Sequence, residues 1–201
     1  MNETLFTAPP ARQPTVAFAV CGSYCTFEAA VPLAGQLTRA GWRVLPVLSF
    51  NAAGQDTRFG TAVQWAERLA AETGHKPITT LQGAEPLGPK RLADAMVIAP
   101  CTGTTLAKLA LGISNTPVTL GAKSLLRIGC PVVVAVSTND GLGASAQHIA
   151  ALLNRKNYYF VPFGQDDCLH KPQSLKADLS LLEPTLTLAM KGRQFQPVLL
   201  S

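Results

Sequence analysis

Residues 16–41 read VAFAVCGSYCTFEAAVPLAGQLTRAG, and this stretch decides the fold class. VAFAV (16–20) is a short, wholly apolar run, the pattern of a strand buried on both faces. CGSYCT (21–26) is a loop of small and hydroxyl residues. TFEAAVPLAGQLTRAG (26–41) carries apolar residues at helical spacing and closes on Gly41, where a helix ends. A strand followed at once by a helix is the first half of a parallel crossover unit.

The same alternation continues along the chain. Strands are expected at RVLPVLS (43–49), AMVIAP (95–100), CPVVVAVS (130–137) and YYFVPF (158–163). Helices are expected at 61–74, from 104 to 113, at 144–156 and over 174–191. Pro46 inside the second strand argues against a regular central position for it. The whole predicts an α/β fold: a single-domain, doubly wound, mainly parallel sheet of Rossmann-like type with helices on both faces. Residues 1–14, polar and Pro-rich, read as a flexible N-terminal arm, and 15–201 as the domain.

Composition narrows the function classes. The 201 residues carry a formal net charge of +5, with 47% hydrophobic and 14% charged residues. The basic residues are scattered and few aromatics lie beside them, so nucleic-acid binding is poorly supported. An apolar balance of this kind fits a buried parallel sheet and a homo-oligomer interface. No apolar run reaches the length of a membrane span. Five cysteines, an odd number in a chain of this size, predict free thiols in a reducing cytoplasm.

Ligands of such sheets gather beyond the carboxyl ends of the strands. Those ends read CGSYCT, SFN, PCTGTT, STNDGLG and PFGQDD. Hydroxyls and bare amides at helix starts suit an oxyanion or a phosphate, though each Ser or Thr equally serves as a helix cap. GxGxxG and Walker loops are absent, which points to a mononucleotide or small anion rather than a dinucleotide. Cys21 and Cys25 form CxxxC, not the CxxC of a redox pair. Three dispersed histidines give no metal site, so none is expected.

The segment APCTGTTLAKLALGISNTPVT (99–119) resembles the flavin loop of the homo-oligomeric flavin-containing Cys decarboxylase superfamily. Ala99, Pro100, Thr102, Thr105, Ala107, Lys108, Ala110 and Gly112 carry the match, together with Gly22, Ser23 and Ser49. Within it, GSYCTFEAAVP, FNAAGQDTRFG, AEPLGPK, MVIAPCTGTTLAKLA, VSTNDGLG and FVPFGQDD resemble the B-subunit family of dipicolinate synthase. Three features depart from the superfamily. Its flavin-loop Asn is Thr104, its Asp-Asn pair is Asn115-Thr116, and residues 50–74 lack the decarboxylase histidine.

The resemblance implies FMN, held by Gly22, Ser23, Ser49, Pro100, Thr102, Gly103, Thr104 and Thr105. It implies an oxidoreductase subunit that works with the A subunit of dipicolinate synthase. Together they would convert dihydrodipicolinate to dipicolinate in the mother cell of a sporulating bacterium. Asn139, Arg58 and Lys90 are the substrate-binding candidates; the ordinary alternatives are a turn residue and two surface charges. Catalytic residues are not assigned. The A subunit carries a nicotinamide-type domain in this family, so a non-catalytic accessory role is the alternative. A flavin-dependent decarboxylase or prenyltransferase is the third reading.

Overall fold

The computed structural model describes residues 13–200. Most of the arm expected over residues 1–14 therefore lies outside the described residues. Strand β1 (Thr15–Val20) is buried at all six positions, as its unbroken apolar run requires. Helix α1 (Phe27–Arg39) follows, then β2 (Arg43–Leu48), α2 (Phe50–Gly54), α3 (Ala62–Thr73) and α4 (Leu81–Ala84). Strand β3 (Ala95–Cys101) is again buried throughout. Helices α5 (Gly103–Leu111) and α6 (Pro117–Leu126) lead to β4 (Val132–Thr138), α7 (Ala146–Leu153) and β5 (Tyr158–Phe160). Two short strands, β6 (Phe163–Gly164) and β7 (Leu175–Ala177), precede α8 (Leu182–Ala189).

The strands form one mainly parallel sheet in the order β2-β1-β3-β4, with β5 beside the first half of β4. From β1 the chain steps outward to β2, then returns across β1 to β3 on its other side. Right-handed crossovers running in opposite directions put α1 on one face and α6 on the other. Helix α3 packs on α1, and α5 packs on α7 and α6.

Two prolines explain local departures. Strand β2 lies at the sheet edge, where Pro46 costs no central ladder bond. Its carbonyl accepts from Ile78 N–H at 2.8 Å, so a short extended segment covers that edge. Pro100 sits inside central β3, and the register with β4 shifts there, between Ile98 and Cys101. Its carbonyl accepts from Cys21 N–H at 3.3 Å, which ties the ends of β3 and β1 together.

The C-terminal third corrects the sequence reading. The strand expected over 158–163 stops at Phe160 and resumes as β6. The helix expected over 174–191 begins as β7, and after a 3-10 turn at Leu179–Leu181 its α-helical part spans Leu182–Ala189. Strand β7 runs antiparallel between the second half of β4 and β6. Residues 163–177 are therefore a hairpin at the carboxyl edge, and PFGQDD is its outgoing arm rather than the end of a fifth parallel strand.

The TRFG segment is a tight turn: Thr57 and Gly60 exchange backbone hydrogen bonds at 3.0 and 3.1 Å. Gly60 has φ +133°, and a Cβ there would lie 2.8 Å from Nε1 of Trp65, a core residue of α3. Gly60→Ala is expected to cost about 2 kcal/mol, from strain and the rigid indole together. Gly54→Ala, with open space around it, should change stability by less than about 0.5 kcal/mol. Urea denaturation midpoints of the two variants check this.

Candidate functional site

Because β1 sends its chain to β2 while β3 lies on the other side, the loops leaving β1 and β3 diverge. A crevice is left between them. It opens as a cleft of about 790 Å³ at the carboxyl edge of the sheet, within the size range of small-molecule sites.

The loop after β1 supplies Gly22, Ser23, Cys25 and Thr26. Ser137, at the end of β4, lies 2.9 Å from both the Ser23 and Thr26 hydroxyls, and those two are 3.3 Å apart. Three hydroxyls from β1 and β4 thus form a closed triangle in the cleft. Any of them can turn its proton outward to an anion, since each hydroxyl both donates and accepts. After β2, Ser49 caps α2 by accepting from Ala52 N–H at 3.2 Å. After β3, the Thr102 hydroxyl accepts from Thr105 N–H at 3.3 Å and caps α5. The first amides of a helix have no partner within it, and the first residues of α5, Gly103, Thr104 and Thr105, line the crevice.

Asp140 meets the same helix start. Its carboxylate accepts from the Thr138 hydroxyl and, at 2.9 Å, from the Ser145 hydroxyl. Gly103 leaves room for this cluster: a Cβ there would be 2.6 Å from Ser145 Oγ and 2.8 Å from Asp140 Oδ1. The Thr138 hydroxyl, above all, holds the Asp140 carboxyl below its usual range, and Ser145 adds to this. The positive end of α5 acts in the same direction.

The cleft gathers seven of the eight expected cofactor residues: Gly22, Ser23, Ser49, Thr102, Gly103, Thr104 and Thr105. Pro100 is buried in β3 and positions the loop instead. Asn139 lines the cleft and is exposed. Arg58 and Lys90 lie outside it. Arg58 stacks over Phe59 at 4.8 Å in the exposed TRFG turn. Lys90 is exposed in the segment that enters β3, and so belongs to the opposite, amino edge of the sheet.

The structure adds residues that were not among the named substrate candidates, from a loop that reads equally as solvated or as a substrate or subunit contact. Lys171 and Lys176, from the hairpin, reach the cleft wall, as does Asp166, whose carboxylate is 4.0 Å from the Lys171 ammonium. The run DDCLHKPQSLK offered polarity alone as a signal. Its lysines became readable only once β7 paired with β4.

Residues 8–176 match the model of the flavoprotein family. The chain is 42% identical over 184 residues, 92% of each chain, to the B subunit of dipicolinate synthase from Bacillus subtilis (strain 168). This chain belongs to the flavoprotein family, in its dipicolinate synthase B-subunit lineage. The crystal structure of the dipicolinate synthase B subunit from Bacillus halodurans C superposes with a TM-score of 0.86 at 40% identity, covering 94% of this chain and 96% of that one. The FMN-dependent cysteine decarboxylase SpaF shares the fold: 24% identity, TM-score 0.61, covering 88% of this chain and 97% of that one. The B-subunit lineage therefore keeps the flavoprotein sheet. Among the described residues, no helix is long and apolar enough to cross a membrane.

All five cysteines are free, and no metal-holding cluster occurs among the described residues. Burial pushes the Cys21 thiol up to about 11, and that of Cys101 well above its ordinary value. Cys25 and Cys168 are exposed. Iodoacetamide at pH 8 should modify Cys25 and Cys168 within minutes and leave Cys21 and Cys101 intact, as peptide mass mapping will read. Cys21 alkylated at the rate of Cys25 would contradict the burial of the β1 end.

Asp140 carries a pH signature. A carboxyl depressed in the folded state stabilises above its unfolded pKa and loses that contribution as pH falls through its folded value. Asp140→Asn should therefore be less stable than the parent at pH 7. The gap should close below about pH 4, the ordinary carboxyl range. Thermal midpoints between pH 3 and 7 measure it.

Proposed function

We propose that this chain is an FMN-binding subunit of a dipicolinate synthase. On this reading it acts with a complementary A subunit to oxidise dihydrodipicolinate to dipicolinate. The observation that carries the reading is the hydroxyl- and amide-lined crevice at the β1/β3 divergence, in a chain 42% identical to a dipicolinate synthase B subunit.

The donor set fits one phosphate. Asp140 already answers the positive start of α5, and a phosphate placed directly there would meet its charge. The triangle of Ser23, Thr26 and Ser137 presents donors away from that carboxylate. The phosphate end of FMN belongs there, with Gly22 allowing close backbone approach. Ser49, Thr102, Gly103, Thr104 and Thr105 line the rest of the flavin's bed. Without a glycine fingerprint, the crevice offers no second phosphate turn for FAD.

Bound FMN would supply a two-electron acceptor. The substrate carries two carboxylates, and the cleft answers with the ammonium groups of Lys171 and Lys176 and the amide of Asn139. The oxidation removes a hydride and a proton from the dihydro ring and leaves an aromatic pyridine. The protein's task is to hold the ring in place and balance two negative charges. The apolar composition supports a homo-oligomer, and the cysteine usage a reducing cytoplasm.

The reading makes two measurable claims. Titration of the apo-protein should show saturable binding of FMN and at least about tenfold weaker binding of FAD, by flavin fluorescence. Equal affinity for both, or none for either, refutes the crevice assignment. Dipicolinate formation from freshly generated dihydrodipicolinate should require both subunits. Asn139→Ala should lower it about tenfold, the size of one hydrogen bond to a charged group, with FMN binding retained. Full activity of the isolated A subunit would reduce this chain to an accessory.

A further inference from the structure

A second cavity, of about 480 Å³, lies away from the β1/β3 crevice, between α5, α6 and the segment joining α7 to β5. Its floor is apolar: Leu109, Ile113, Leu126 and the Tyr158 ring. Ile113 is 44% exposed and the adjoining Leu111 is 67% exposed, so apolar surface continues past the rim. The rim carries Lys108, Lys123, Arg127, Arg155 and Lys156, with no carboxylate among the described residues.

Part of this positive charge has a local explanation. Helices α5, α6 and α7 all end at the groove, and cations favour helix C-termini. Lys108 and Lys123 occupy the last turns of α5 and α6, and Arg155 donates to the Leu109 carbonyl at 3.1 Å. Each helix end contributes about half a negative charge. Three ends offset about one and a half of five positive charges, and more than three remain. That excess surrounds an apolar floor, where repulsion among the cations has no internal counter-charge.

From this we infer that the groove is the docking surface for an acidic segment of the complementary A subunit, one that seats an aliphatic or aromatic side chain between its carboxylates. The inference rests on the two-subunit reading above. A second copy of this chain is the poorer occupant, since the chain carries a net +5. The acidic pair of its hairpin is also engaged: Asp166 faces Lys171, and Asp167 accepts from His170 N–H at 2.9 Å. Leu169, 84% exposed beside them, has no free carboxylate to bring with it. Lys108 lines both the groove and the crevice, so an acidic segment seated in the groove approaches the flavin bed from behind.

The test uses the full chain, the purified A subunit, and the double variant Lys123→Glu/Arg127→Glu. Both substituted residues are exposed, Lys123 on α6 and Arg127 just past its last residue, and both lie outside the crevice. Binding of the A subunit, followed by biolayer interferometry at 0.15 M salt, should weaken at least about tenfold in the double variant. Parent affinity should fall as salt rises, and that dependence should flatten in the variant. FMN binding and the variant's own oligomer mass, by light scattering, should equal the parent's. Unchanged affinity in the double variant overturns the inference while leaving the two-subunit reading intact. No binding of the A subunit to the parent overturns both. A change of oligomer mass with unchanged affinity for the A subunit makes the groove a self-interface and also overturns the inference.

Discussion

The pairing of β1 with β3, from Val16–Ala95 to Ala19–Ile98, is the constraint on which the rest of the molecule depends. Both strands are fully buried, so each must have strand neighbours on both sides and helices on both faces. With β2 beyond β1 and β4 beyond β3, right-handed connections must leave β1 and β3 toward opposite faces. The crevice follows from this topology before any side chain is chosen. At its base the Pro100 carbonyl accepts from the Cys21 amide and joins the two strand ends.

The parallel half of the fold was legible because its strands are unbroken apolar runs and its helices end on glycines such as Gly74 and Gly112, both at positive φ. The crevice residues after β1, β2 and β3 could be read for the same reason. A strand end is a fixed address, and small hydroxyl residues at that address have few purposes. Ser137 was within reach of the same logic, since it closes the strongest β-branched run. Its partnership with Ser23 and Thr26 was not, because hydroxyl contacts across 114 and 111 residues leave no periodic trace.

The hairpin was illegible for a different reason. Strands β6 and β7 are two and three residues long, too short to show a period. Leu175, Ala177, Leu179 and Leu182 also read readily as the first turns of a helix that does exist further on. Tertiary pairing with the end of β4 overrides that local preference. Gly141 permits it: a Cβ at this position would lie 2.6 Å from the Leu175 side chain. Lys90 and Arg58 failed to join the cleft because a specific motif marks a family without stating which constraint it serves. Arg58 sits in a turn that packs on Trp65, and Lys90 lies at the amino edge.

The acid–base inventory of the cleft bears on which chemistry its family membership can support. His75, His148 and His170 are all absent from the lining, whose titratable groups are Cys25, Lys108, Asp140, Asp166, Lys171 and Lys176. Asp140 lies at the start of α5, and two hydroxyl donors hold it in its charged form, which weakens it as a base. Asp166 faces an ammonium group. A reaction that needed a strong general base would be poorly served here. Aromatisation of a dihydropyridine ring makes a smaller demand. The departing proton is acidified by the aromatic product that its loss creates, and water can accept it. What such a reaction does need is cationic and amide donors that hold two carboxylates in place, and the cleft wall carries Lys171, Lys176 and Asn139. The hairpin that breaks the parallel pattern of the sheet is thus also the element that brings two cationic side chains, Lys171 and Lys176, to the cleft wall.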